Sequence, residues 1–147
     1  MKRSKRLAPV VDIATKATDS ALVEMGKANA AWHKEKQQLE ELRHYKGEYL
    51  ARLRQGDAVV MSAQKVLELR GFLAQLDQAI QGQEQQVEIY YHQLEQQRAL
   101  WQQTRSKEQA MQSLVDRYQH EESQIESKQE QQASDEHNAI QWRHKFK

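Results

Sequence analysis

The chain of 147 residues has no cysteine, a single proline, five glycines and 7% aromatics. The missing cysteine excludes disulfides, thiolate chemistry and cysteine-based zinc sites. The lone proline, Pro9, leaves nothing beyond the first turns that must break a helix. Hydrophobic residues make up 38% of the chain and mean hydropathy is -0.99, too little apolar material for a broad globular core. The run from Leu7 to Ile13 is short and is cut by Pro9 and Asp12, so it is expected to be neither a signal-peptide core nor a membrane span. A net charge of +1 gives no global attraction for a polyanion. The expected location is therefore cytoplasmic.

What the chain does have is two apolar ladders stepping four and three residues alternately. The first is Leu7, Val11, Ala14, Thr18, Ala21, Met25, Ala28, Trp32, Glu35, Leu39, Leu42, Lys46, Tyr49 and Leu53, eleven of the fourteen being apolar. The second is Val66, Leu69, Leu73, Leu76, Ile80, Gln83, Val87, Tyr90, Leu94, Gln97, Trp101, Thr104, Glu108, Met111, Val115, Tyr118, Glu122 and Ile125, with thirteen of eighteen apolar. A 3.5-residue repeat sustained this far is the signature of a coiled coil. The 23 glutamines sit mostly off the ladders and, being good helix formers, read as a solvated helical face rather than an aggregating tract.

The pattern predicts an all-α fold: a long antiparallel two-helix coiled coil in one domain, with the second helix longer than the first. Helix one is expected from near Pro9, at about residue 8, to about residue 54. A connection over about 55–62 follows, with Gly56 as terminator and Asp57 and Ser62 as competing N-caps. Helix two is expected over about 63–132, with a last short helix from Ser134-Asp135 to Trp142 and Phe146, or continuation to the C-terminus. Gly71 and Gly82 fall on its outer positions. So short a connection makes the helices antiparallel neighbours.

One register sets Ala14 against Trp101, Ala21 against Leu94, Ala28 against Val87 and Thr18 against Gln97, small opposite large and polar opposite polar. A slip of one heptad also satisfies the pattern. In the first register helix one runs out opposite about residue 110. Met111, Val115, Tyr118 and Ile125 then form a stripe without an internal partner, expected to fray, dimerise or be covered by another protein.

No catalytic motif is present: there is no Gly-rich phosphate loop, no nucleophile elbow and no second histidine to complete His120-Glu121-Glu122 as a zinc motif. His44 and Glu48 stand four apart on one face, but two ligands leave a zinc site incomplete, and solvated side chains are the better reading. His137 and His144 read the same way. No catalytic, metal or cofactor site is assigned. The basic start, Lys2, Arg3, Lys5 and Arg6, could touch nucleic acid or anionic lipid but reads more simply as a frayed tail. With Leu39 and Leu73 at heptad position a, the residues Gln38, Tyr45, Phe72 and Ala79 all fall at g, along one edge of an antiparallel pair. The aromatics there either widen the core or form a docking patch.

These positions resemble the FliJ family, a soluble component of the bacterial flagellar type III export apparatus. The resemblance rests on Gln38, Leu42, Tyr45, Tyr49 and Leu53, then Gly56, then Phe72, Leu76, Ala79, Ile80, Gln83, Val87, Arg98, Trp101, Leu114 and Arg117, and covers roughly residues 38 to 117. It implies a non-enzymatic protein of flagellar biogenesis and motility. Such a protein inserts into the hexameric ring of the flagellar export ATPase, promotes its assembly and hydrolysis, contacts the membrane export-gate protein FlhA and escorts export chaperones. The family's gate-binding surface carries over to Gln38, Leu42, Tyr45, Tyr49, Phe72, Leu76, Ala79 and Gln83. Met111, Val115, Tyr118 and Ile125 are candidates for facing the ATPase ring. The resemblance also implies peripheral association with the inner face of the membrane at the flagellar base, and no nucleic-acid partner. Three other readings share the hairpin: the equivalent stalk of a virulence secretion system, a nucleic-acid-binding coiled-coil arm using Lys2 to Arg6, and a homo-oligomeric bundle.

Overall fold

The computed structural model describes residues 1–55 and 62–145. It contains two helices, α1 (Arg3–Gln55) and α2 (Ala63–Lys145), packed against each other, and no strand among the described residues. The α2 N-terminus is capped by Ser62, whose Oγ accepts from the Lys65 N–H at 3.3 Å while its carbonyl accepts from the Val66 N–H at 3.1 Å. The expected terminator Gly56 and the competing cap Asp57 lie outside the described residues, as does Phe146. The segment after Ser134 is part of α2 rather than a separate short helix.

Heptad spacing decides which side chains leave water. Every rung of the α1 ladder is buried or half-buried, and so is every rung of the α2 ladder except Ile125. Gly71 and Gly82 face outward, with open space where a Cβ would stand. No helix among the described residues is long and apolar enough to cross a membrane.

The chain divides into two compact units. In the unit Ala21–Trp101, the α1 and α2 segments bury Leu39, Leu76 and Leu94, the last only 1% exposed. In the unit built from Met1–Ser20 and Gln102–Lys147, the buried side chains are Ser4, Thr18 and Val115. That core is thinner and partly polar. The Thr18 hydroxyl is satisfied by its own helix, donating to the Ala14 carbonyl at 3.0 Å.

Within each unit the helices take the register slipped by about one heptad, and the polar rungs find partners in it. In the first register Glu35 would face Ile80, and Lys46 would face Leu69. The observed pairing instead brings the Gln83 amide to the Glu35 carboxylate at 2.5 Å and to the Glu35 carbonyl at 3.0 Å, and Lys46 to Asp77 at 2.5 Å. In the other unit Thr15 donates to Glu108 at 3.4 Å, and Glu122 receives the Ser4 hydroxyl at 2.7 Å and the Ser4 N–H at 3.2 Å. Directly opposite, Glu35 and Lys46 meet aliphatic side chains in either register, Val87 and Leu76 in the observed one, so it is these diagonal partners that satisfy the charged rungs.

Two expectations are corrected here. First, α1 begins at Arg3, not near Pro9, which lies inside the helix. Proline gives up the bond to the Lys5 carbonyl, but tertiary contacts hold the first turns: Lys2 pairs with Glu126, Arg3 lies 5.5 Å over the Tyr118 ring, and Ser4 is clamped by Glu122. The basic start is therefore not a frayed tail. Second, the earlier start and the slip together carry α1 past residue 110 as far as Glu126. Val115 is 6% exposed and Met111 and Tyr118 are half-buried, so only Ile125, at 57%, remains of the stripe expected to lack a partner. From 127 to 145 α2 continues with every residue exposed.

Replacing Leu94 with alanine should lower unfolding stability by about 2–4 kcal/mol in urea titrations, whereas Ile125→Ala should change it by less than about 0.5 kcal/mol. The Ser4 clamp should also respond to acid. The Ser4 hydroxyl holds Glu122 below the usual carboxylate range, assisted by the Ser4 N–H and by Lys2. Its hydrogen bond and charge interaction with Glu126 raise Lys2 above the usual lysine value. A depressed carboxylate stabilises above its unfolded pKa and loses that contribution as pH falls through the folded one; a raised lysine stabilises below its unfolded pKa and loses it as pH rises through the folded one. The clamp is thus closed across neutral pH, and in an acid titration the Ser4 amide resonance should move only below the range in which a free glutamate protonates, as Glu122 itself protonates. Glu122→Gln should abolish that titration.

Candidate partner-binding site

In the unit Ala21–Trp101 the two flanks of the seam differ in chemistry. One flank is ionic: Arg43 pairs with Glu84 at 3.1 Å, and Lys46, on the seam beside it, with Asp77. The other carries the residues predicted at heptad position g. There the Tyr45 and Phe72 rings meet edge to face, centroids 6.3 Å apart at 77°, and Tyr49 stacks on Phe72 at 4.7 Å. Tyr45 stays 50% exposed, while Phe72 and Tyr49 are half-buried. The aromatics therefore both widen the core and present a ring to solvent. Phe72 is the hub, and Tyr45 is the face.

Of the eight residues expected to bind a partner, Gln38, Tyr45 and Ala79 are exposed and Leu42, Tyr49, Phe72 and Gln83 half-buried. Leu76 is buried in the seam and acts from beneath, by supporting the others. Gln83 connects seam to edge: the amide that bonds Glu35 also reaches the Gln38 side-chain oxygen at 3.5 Å. Outside this group, His44 and Glu48 contact each other at 3.0 Å on an exposed face, an ion pair when the imidazole is protonated. His137 is bonded one turn along to Gln141 at 3.0 Å.

The seam ladders do not contain one further apolar surface, in the unit of Met1–Ser20 and Gln102–Lys147. Val10, Ile13 and Ala17 face Ala110 and Lys107 across an open trough of about 460 Å³. Its signal in the sequence is a second run of four- and three-residue steps beside each ladder, legible only once the register says which flanks meet.

A family model described as "Flagellar FliJ protein" matches residues 3–147. The chain belongs to the FliJ family. The match extends beyond residues 38 to 117 to include the clamped first turn and the exposed end of α2. No individual curated protein matches the chain. FliJ membership makes the protein a component of the flagellar export apparatus, and the family is non-enzymatic.

Phe72→Ala should destabilise the protein by about 1–3 kcal/mol, since it removes a ring packed on two tyrosines. Tyr45→Ala should cost less than about 1 kcal/mol and leave helicity unchanged, because half of that side chain is already in water. Circular dichroism through a urea titration distinguishes the two.

Proposed function

We propose that this FliJ-family protein is a stalk-like coupling factor between the flagellar export ATPase and the export gate. It inserts into the ATPase ring, promotes ring assembly and hydrolysis, and escorts export chaperones. It meets the membrane gate protein FlhA through Gln38, Tyr45, Ala79 and the rings of Tyr49 and Phe72, with Leu42, Leu76 and Gln83 holding that edge in place. It works peripherally at the inner face of the cell membrane.

The observation that carries this reading is the pairing of a family match over nearly the whole chain with a solvent-facing ring at Tyr45 on the non-ionic flank. Aromatic side chains backed by a firm layer concentrate binding energy, because little conformational freedom is lost when a partner covers them. Of the four residues expected at the ATPase ring, Ile125 is the exposed one, and Met111, Val115 and Tyr118 lie in the seam. The nucleic-acid reading has less support, since two of its four cations, Lys2 and Arg3, are engaged by Glu126 and Tyr118.

The test mixes the protein with the cognate ATPase and measures hydrolysis and ring formation. Both should rise, and no change in either would remove the coupling role. In parallel, Tyr45→Ala should weaken binding to the FlhA linker by about tenfold or more at unchanged helicity. Unchanged binding would take the gate site away from this edge.

A further inference from the structure

In the unit of Met1–Ser20 and Gln102–Lys147, Val10, Ile13 and Ala17 follow Arg6 on α1 in steps of four, three and four, and Ala110, Leu114 and Arg117 follow Lys107 on α2 in steps of three, four and three. Each run is a short heptad ladder lying beside the main seam. Val10, Ile13 and Ala17 line an open-sided trough with Lys107, Ala110 and Met111, and Leu114 and Arg117 line an adjoining hollow that shares Ala110 and Met111 with it. Ile13 projects from it 68% exposed, although the seam next to it buries Val115. Two apolar runs of this spacing form the holes that a third helix fills with its knobs. A trough open along its length suits a helix better than a small molecule, which needs enclosure.

Charge identifies the kind of helix. Arg6 and Arg117 bracket the apolar stretch at one end and Lys107 at the other, and none of the three has an acidic partner among the described residues. Arg6 lies just beyond the trough, in a neighbouring hollow that it shares with Glu121 and Glu122. A second copy of the chain would bring the same cations face to face, which disfavours a symmetric pair.

The geometry points to a docking site on this trough for an acidic amphipathic helix of a partner protein. Its apolar stripe spans about two turns and its carboxylates lie about 15 Å apart, the distance from Lys107 to Arg117 along α2. The site lies on different residues from the gate-binding edge and shares only Met111 with the set assigned to the ATPase ring, so peptide binding and ATPase stimulation are separate readouts.

The full chain, titrated into a fluorescent synthetic helix with Leu at heptad positions a and d and Glu at e and g, should bind it saturably at one to one. Raising salt should weaken the complex. A twin peptide carrying Lys in place of each Glu should not bind. Ile13→Glu should reduce affinity about tenfold or more at unchanged helicity, because that side chain is already in water. Lys107→Glu with Arg117→Glu should do the same and should let the lysine peptide bind. Failure of the acidic peptide to bind, equal binding of both peptides, or indifference to Ile13→Glu overturns the proposal. So does self-association in sedimentation that Ile13→Glu abolishes, which would make the trough an interface between copies.

Discussion

The polar rungs of the seam are the constraint on which the rest of the structure depends. Leucines and valines repeat so regularly along both ladders that apolar burial alone is nearly as good in either of two registers. Glu35, Lys46, Glu108 and Glu122 are not interchangeable in this way. Each needs a donor or a counter-charge, and each finds one on the other helix, in Gln83, Asp77, Thr15 and Ser4 respectively. Their net contribution to stability is small, since a hydrogen bond in the protein replaces one to water. What they set is a demand for a diagonal partner, because the side chain directly opposite Glu35 or Lys46 is aliphatic. Hydrophobic burial drives the helices together, and the polar rungs are satisfied across the seam.

Fixing the register fixes the flanks. In an antiparallel pair the g residues of one helix line up with those of the other, so a choice made in the seam determines which outer side chains become neighbours. That is how Tyr45, Tyr49 and Phe72 come together on one side of the leucine-rich unit while Arg43 and Glu84 meet on the other. The exposed ion pair contributes little energy. It does keep that stretch of the flank hydrated, in contrast to the rings on the other side. Gln83 joins the two levels, since one amide satisfies a seam carboxylate and touches the edge residue Gln38.

Much of this was legible in the sequence, because heptad spacing is a direct consequence of helix geometry: the thirty-two ladder positions leave water at every rung but Ile125. The grouping of Tyr45 with Phe72 could be read as well, since it follows from heptad labels and antiparallel pairing alone. Two things were not legible. The start of α1 was placed at Pro9 by local preference, whereas contacts from Glu122, Glu126 and Tyr118, more than a hundred residues away, hold the preceding turn. Local propensity has no access to such partners. The extent of the overlap is the other: the apolar rungs allow a heptad slip, and Glu35 faces an aliphatic side chain in both alignments, Ile80 in one and Val87 in the other, so counting rungs does not separate them.

The end of α2 obeys a different physics from the seam. From 127 to 145 no side chain is buried, so hydrophobic packing contributes nothing to its order. An isolated helix of that length is marginal in water mainly because its first turn is costly to form. Here that cost is already met, since the segment extends a helix whose preceding turns are pinned by Ser4, Lys2 and Arg3. What remains is propagation through glutamine, glutamate, lysine and alanine, which are good helix formers, aided by the His137–Gln141 contact and by Arg143, His144 and Lys145 in the last turn, where cations oppose the helix dipole. It follows that the two parts of α2 open at different free energies, the seam at one set by buried leucines and the extension at one set by propensity. The clamp at Ser4 is where one regime passes into the other, so whatever loosens the clamp also removes the template from which the exposed turns grow.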